Sequence, residues 1–540
     1  MKKIILISIS ILMVLSLSSC SQGNQKVSKK DSLKDTLNVS VSDEPVSIDP
    51  AKCLTMDACS ILTNLFEGLV NFDKNGNFVP GVATDWTAND DYTQFTFHLR
   101  HDAKWSDGSN VTADDFKYAW LRTLNPKTAS SFAYYLYYIK NAESYNAGKI
   151  DASQVGINVV DPYTLQVNLE HPCSYFLSLT TLAGYYPVKS SIIETYGDKW
   201  IQEADTYVTD GAYKLREWNH NTNLLIEKNK QYWDSDNVFI QDINFLLITD
   251  ATTIMNAYEA GELDFNEYTL TADEMSQVDN VKYADFVYTR LVEFNLNREI
   301  FKDVRVREAI NIALDREEMV SLVGKGNFPM QYFVPSGFRT NEGVDYREVY
   351  QNKYFNSTSS IERAKELLTE AGYPNGKGIP ALTYLCNTIG YNVTNAEIFK
   401  NQLAKIGIDV KIVSLDKKIM VAQRKTGDYD FTPVNLLAEY PDISVFLYSL
   451  RTNDPSNYAH YSNSLFDGLY AKIVTESDKK TKFDLVHQAE DILMKDYPVI
   501  PLYVNQMSYI EDGGVEGYVH DTAGRLSFVH AKLIKKNNSN

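Results

Sequence analysis

The chain has 540 residues, enough for two or three domains that each close a core of their own, and 44% of them are hydrophobic, which excludes a disordered chain. Its formal net charge of −18 argues against a nucleic-acid partner, whose phosphates call for a basic face, and against adsorption on anionic lipid. Its 36 tyrosines would suit sites that grip varied organic ligands with ring and hydroxyl together, and they fit an AT-rich codon bias equally well.

Lys2 and Lys3 precede an apolar run from Ile4 to Leu15, then Leu17-Ser18-Ser19-Cys20. A charged start, an apolar stretch and small residues predict a signal peptide over 1–19. The Cys at the cleavage point resembles a bacterial lipobox, so diacylglycerol is expected on Cys20, and the apolar run is short for a membrane span. Residues 20–36 are polar, charged and free of aromatics beyond the cysteine, which predicts a flexible tether.

Leu37 to Ser42 alternates as a first strand, and a helix is expected from Met56 to Phe66, stopped by Gly68. In Thr93–Leu124 a strand, a turn and a helix follow one another. Phe95, Phe97 and Leu99 alternate with polar residues, and Asp107-Gly108 turns the chain. Thr112 is placed as an N-cap, and Phe116, Trp120 and Leu124 share a helical face. Val160 to Leu169 reads as a strand, Val208 to Trp218 and Leu224 to Trp233 as a strand pair, and Asp250 to Ala260 as a helix. A second α/β unit opens near Tyr288. It has a strand at Leu291–Asn297, a helix from Asp303 and another capped by Ser360. Leu382–Leu385, Thr394–Ile406 and Ile408–Val413 form a strand–helix–strand unit suited to a parallel sheet. The helix Phe483–Lys495 precedes the strand Val499–Val504. No repeat and no linker after Thr36 interrupts this order, which suits lobes joined at a hinge.

Catalytic patterns are absent: there is no HExxH, no GxSxG and no P-loop. Eight scattered histidines offer no converging metal ligands. Cys53, Cys59, Cys173 and Cys386 remain once Cys20 is lipidated. No CxxC occurs, and a Cys53–Cys59 bridge would span a predicted helix start, so four buried free thiols are expected.

The stretch FTFHLRHDAKWSDGSNVTADDFKYAWLR resembles the recurring segment of the family 5 extracellular solute-binding proteins, the peptide-binding receptors of ABC importers. The resemblance extends over Leu37–Leu533. It is carried by NLFEGLVNFDKNGNFVPGVATDW, YVTDGAYKLREW, NAYEAGELDF, FKDVRVREAINIALDRE, AKELLTEAGY and AEYPDISVFLYSL in the order of the oligopeptide-binding branch. It implies an α/β fold of the periplasmic-binding-protein type (cluster C), with two lobes, a ligand cleft between them and an inserted third α+β domain. Lobe I would comprise 37–66, 188–287 and 518–540, the inserted domain 67–187, and lobe II 288–517.

The resemblance also implies a function: a lipid-anchored, non-enzymatic and monomeric protein on the extracytoplasmic face of a Gram-positive cell membrane, without cofactor or metal. It would capture extended peptides with a free N-terminus and pass them to ABC permease and ATPase subunits. The family's ammonium-binding Asp falls at Glu439, with Asp442 as the alternative partner. Asn435, Leu436 and Leu437 fall on its backbone-pairing strand. Tyr258 matches a ligand-bonding Tyr and could equally be a core residue. Leu54 falls at an acidic position, Met56 lies beside it, and Phe132 falls at a Tyr position. Arg424 keeps a basic residue for the carboxylate of shorter peptides, or forms a solvated pair with Lys425. With Leu54, Met56, Phe132, Leu436 and Leu437 in the lining, a rather apolar groove is expected. A peptide pheromone, a dipeptide, nickel or haem are the alternative ligands, and a surface hydrolase is the rival from another class.

Overall fold

The computed structural model describes residues 36–41, 44–53, 55–73, 77–130, 132–248, 250–266, 278, 281–324, 326–388, 392–454, 456–511, 513–521 and 523–534. Cys20, its tether and Leu54 lie outside the described residues.

The first strand, β1 (Thr36–Val41), is followed by the helix Met56–Leu65. Its N-cap Thr55 accepts the Ala58 N–H at 3.3 Å. Here the thiol expectation is corrected: Cys53 and Cys59 form a disulfide, with Cα atoms 6.2 Å apart, while Cys173 and Cys386 are free and buried. The helix start does not separate the two cysteines. Cys53 enters just ahead of the cap, and the first turn brings Cys59 back over it within ordinary disulfide reach.

Next come the hairpin β2 (Val70–Phe72) and β3 (Phe78–Pro80), then β4 (Ala83–Ala88), β5 (Gln94–Leu99), β6 (Ile157–Asp161) and β7 (Thr164–Asn168). The last four form an antiparallel sheet in the order β4-β5-β7-β6. Phe95, Phe97 and Leu99 point into its core, as their alternation requires. The helix Ala113–Leu124 packs there through Phe116, Trp120 and Leu124, and Thr112 with Asp115 closes a capping box at its start. The strand expected after the Asp-Pro turn in Val160–Leu169 is β7, and the turn joins it to β6 as a hairpin, with Asp161 accepting the Tyr163 N–H at 2.8 Å.

The remaining strands are β8 (Tyr213–Asn219), β9 (Asn223–Lys228), β10 (Asp242–Leu247), β11 (Phe265–Asn266), β12 (Val281–Phe294), β13 (Asn327–Pro329), β14 (Leu382–Asn387), β15 (Val410–Leu415), β16 (Phe431–Leu437) and β17 (Val499–Glu511). Among the described residues they join β1 in one sheet, in the order β15-β14-β16-β12-β17-β11-β1-β10-β9-β8, with β13 also on β17. The long antiparallel pair β12 and β17 runs through the middle, and β17 reaches the β1 half only by pairing Phe265 and Asn266 of β11. Its register breaks between Ala284 and Tyr288, where the chain passes from one half of the sheet to the other. Two large buried clusters pack against the sheet, and the first reaches into both halves through Leu291 and Leu436. Val39, Phe245 and Ile226 belong to one, and Val292, Phe399 and Phe431 to the other.

The parallel strands β14 and β15 end together at Asn387 and Leu415, while the parallel neighbour β16, which sets Phe431 across from Tyr384, runs on past them to Leu437. The antiparallel β12 brings Tyr288 to the same level, directly across from Leu437. This edge is the carboxyl end of the parallel strands, where α/β sheets open a crevice for ligand.

Candidate functional site

β16 pairs with β12 along its whole length, from Phe431 across to Phe294 up to Leu437 across to Tyr288. On its other side its ladder pairing with β14 is limited to Phe431, next to which the Thr432 hydroxyl donates to the Leu385 carbonyl at 3.1 Å, so among the described strands no ladder partner covers the edge from Pro433 to Leu437. Pro433, which has no N–H to offer a ladder, tolerates such an edge. Asn435 is exposed and Leu437 half-buried on one face, while Leu436 is buried on the other.

Glu439 follows two residues beyond. It is half-buried, and among the described residues its carboxylate makes no hydrogen bond or ion pair. Burial pushes its pKa up to about 7, with the Arg525 guanidinium pulling the other way. Tyr448 stands close enough that burial and the Glu439 charge lift its hydroxyl to about 12. Tyr134, half-exposed beside Tyr135 at 4.0 Å between rings, also feels the Glu439 charge.

Asp442 is differently placed. Its carboxylate pairs with Lys482 at 2.7 Å, both side chains nearly buried, and caps the next short helix through the Ser444 N–H at 2.9 Å. Its charge is already answered from within the chain. Arg424 is also engaged: it donates to the Pro433 carbonyl at 3.0 Å, stacks 4.5 Å over Tyr458 and faces the buried Glu293. Burial raises the Glu293 carboxyl to about 8, with Arg424 opposing the shift. Arg424 therefore braces the outer edge of β16.

Phe132 is half-buried, seated against Gly184 with its ring 5.7 Å from Tyr135, so the run 132–138 borders the Glu439 surroundings. A Cβ on Gly184 would come within 2.7 Å of the Phe132 Cβ. Met56 opens its helix, half-buried against the main core. Tyr258 stands apart from this group, in a small cluster with Ile254, Leu263 and Ile510, where its hydroxyl donates to the Glu511 carbonyl at 3.3 Å.

A cavity of about 410 Å³ lies alongside, lined by Glu67, Tyr186, Arg339, Pro441, Lys479 and Arg525 among others. It shares Pro441 and Arg525 with the surroundings of Glu439. The sequence reading missed Arg525, Tyr134, Tyr448 and Glu293. The tyrosine-rich run from Phe132 to Tyr138 was the one available signal, and nothing local to Arg525 marks it.

A family model described as "Bacterial extracellular solute-binding proteins, family 5 Middle" matches residues 77–458. The dipeptide-binding protein DppE of Bacillus subtilis is 33% identical over 94% of this chain and 93% of its own length. The periplasmic oligopeptide-binding protein OppA of Salmonella typhimurium is 33% identical over 90% of each chain. Among solved structures, the unliganded open form of the murein tripeptide-binding protein MppA superposes with a TM-score of 0.80, at 30% identity over 93% of this chain and 98% of that one. The fold is thus α/β of the periplasmic-binding-protein type, two lobes with a cleft between them and an inserted α+β domain. The chain belongs to the family 5 bacterial extracellular solute-binding proteins, a group that binds solutes outside the cytoplasm and is not enzymatic.

Proposed function

We propose that this protein is the peptide receptor of an ABC importer, holding oligopeptides extended along the free edge of β16 and delivering them to permease and ATPase subunits. The observation that carries this is Glu439: a carboxylate without a partner among the described residues, its pKa raised to about 7, two residues past an unpaired strand edge. A peptide fits both features. Its backbone adds a strand without reading sequence, and its ammonium gives the buried acid the counter-charge it lacks. The names of the relatives DppE and OppA support the same substrate class.

The lobe boundaries proposed are those of the sequence reading: 37–66, 188–287 and 518–540 for lobe I, 67–187 for the inserted domain, and 288–517 for lobe II. The register break before Tyr288 supports the first crossing. Ligand would bind the closed arrangement better and shift the equilibrium toward it. Diacylglycerol on Cys20 would anchor the body to a Gram-positive cell membrane. Cys20→Ala should then release the protein into the soluble fraction, and retention on membranes would reject the anchor.

Half-buried Phe132 and Leu437 favour a rather hydrophobic peptide, Leu436 being turned into the core, and one dominant signalling peptide is the second reading. Mass spectrometry of the small molecules released on denaturing protein from its own host tests both. A ladder of short peptides supports a nutrient receptor, a single apolar peptide supports a signal receptor, and a metal complex in place of peptide would reject the proposal.

A further inference from the structure

Directly across from Asn435, on the same face of the sheet, stands Arg290 of β12. It is half-buried, with its guanidinium 4.6 Å over the Tyr288 ring and its Nε–H donated to the Asn505 Oδ1 at 3.0 Å. Asn505 is itself held by Asn327 at 2.6 Å, so the contact fixes where the guanidinium points. No carboxylate among the described residues forms an ion pair with Arg290. Three other half-buried arginines of the same half do meet a carboxylate, Arg347 at Glu490, Arg451 at Asp454 and Arg298 at Asp430 at 3.4 Å, while Arg424 shares with Arg290 the lack of an ion pair among the described residues but faces the buried Glu293.

Polar groups gather beside it. Tyr503, cross-strand from Arg290 on β17, accepts the Asn395 Nδ2–H at 2.8 Å. The Asn395 Oδ1 and the Tyr384 hydroxyl, both on buried residues, have no hydrogen-bond partner among the described residues. Asn395 belongs to the helix Asn392–Ala404, which begins beyond the end of β14, at the carboxyl edge of the sheet. The Tyr384 hydroxyl, deeper along the same face, still feels the Arg290 charge.

We infer that Arg290 is a specificity-determining residue that receives a carboxylate of the ligand, set along β16 from the acid that holds the ligand's amino end. This rests on the peptide reading. Asn435 lies within β16 and Glu439 past its end, where a tight turn sends the Glu439 N–H to the Leu437 carbonyl at 2.9 Å, so the two stand at most about 13 Å apart, the span of up to roughly four ligand residues. A guanidinium prefers a carboxylate over other anionic or polar groups of its size because two parallel N–H···O bonds fit it. The carboxylate has two sources, the C-terminus of a short peptide or an Asp or Glu side chain in a longer one. The two acidic and basic anchors would together impose a direction on a ligand whose backbone contacts do not.

The experiment uses calorimetric titration of the full chain with three free-amine tetrapeptides of apolar residues: the free acid, its C-terminal amide, and the amide with Glu as the fourth residue. Wild type should bind the neutral amide about tenfold more weakly than whichever acidic form is used. Preference for the free acid alone assigns the C-terminus, and preference for the Glu-bearing amide assigns the side chain. Arg290→Gln should erase the preference, bringing the three peptides to within about twofold of one another, and Arg290→Lys should keep part of it. Wild type binding all three equally would overturn the inference, even if Arg290→Gln does not fold. So would an Arg290→Gln variant that retains the preference or that loses all three peptides alike. Failure of every free-amine peptide to bind would instead reject the peptide reading.

Discussion

Glu490 and Glu439 are both carboxylates drawn out of water in the C-terminal half of the chain, and the protein treats them in opposite ways. Glu490, on the helix Lys479–Asp496, is fully buried and surrounded by donors. The Phe333 and Val334 N–H groups donate at 2.9 and 2.8 Å, the Tyr346 hydroxyl at 3.1 Å, and Arg347 completes an ion pair. Burial alone would raise its pKa, but the His487 and Arg347 side chains and the Val334 N–H outweigh it and hold the carboxyl below its usual range. Glu439 has no such shell and is pushed up to about 7. A buried charge that ties two segments of chain together is finished within the fold. One left without donors is poised for a cation that arrives from outside.

Removing the finished charge should cost most. Glu490→Gln leaves Arg347 buried without a carboxylate and loosens the segment from Phe333 to Arg347, for an expected loss of about 3–5 kcal/mol in chemical denaturation. A loss under about 1 kcal/mol would break the contrast between the two acids. The pH signs should also be opposite. The Glu490 contribution is present above the unfolded carboxylate range and is lost as pH falls through its lowered folded pKa. The Glu439 contribution in the ligand-free protein is present below the unfolded pKa and is lost as pH rises through about 7. Glu439→Gln should therefore raise the melting temperature of ligand-free protein at pH 8 and leave it unchanged at pH 4. A lower melting temperature at pH 8 would show that Glu439 serves the fold.

With ligand the order reverses. Glu439→Gln should weaken free-amine peptides by about 2–3 kcal/mol, the loss of one charge-assisted contact, and leave N-acetylated peptides unchanged. Wild-type affinity for free-amine peptides should fall about tenfold for each pH unit below 7, since the carboxyl must give up its proton to meet the ammonium. N-acetylated peptides should show no such slope. Equal weakening of both classes would sharpen the comparison differently, by making Glu439 a general wall of the groove.

How far each of these features could be read beforehand follows the range of the interaction. Period-two alternation at Phe95, Phe97 and Leu99 and the N-cap positions of Thr112 and Ser360 are local, and each stands where periodicity and capping chemistry put it. β12 was read only from Leu291, although it begins at Val281. Its first part carries Lys282 and Tyr283, both exposed, and a register break instead of an alternating face, so its strand character comes from β17 and not from its own pattern. Glu439 was reached through resemblance to a family, and no local pattern distinguishes it from Glu490. What separates the two acids is which distant groups arrive: Phe333, Tyr346 and Arg347 at one, and Arg525, Tyr134 and Tyr448 at the other. Apart from nearby Tyr448, those contacts span tens to hundreds of residues and exist only once the sheet is assembled.

The smallest effect expected concerns the one short-range feature that the pattern pointed away from. The Cys53–Cys59 bridge closes a loop of only six residues' separation. Loop-closure entropy for so short a ring is worth about 2 kcal/mol, less than the Glu490 shell. The replaced pair Cys53→Ser with Cys59→Ser should lower stability by about that amount and leave the Glu490 contribution intact, because no partner is shared between them. Thiol titration gives the direct check. Denatured, unreduced protein cut to begin after Cys20 should expose the two thiols of Cys173 and Cys386, and four after reduction. Four thiols before reduction would return the segment ahead of Met56 to the free-thiol reading. The entry to that helix would then be held by the Thr55 cap alone, as a weaker local counterpart to the satisfied acid at Glu490.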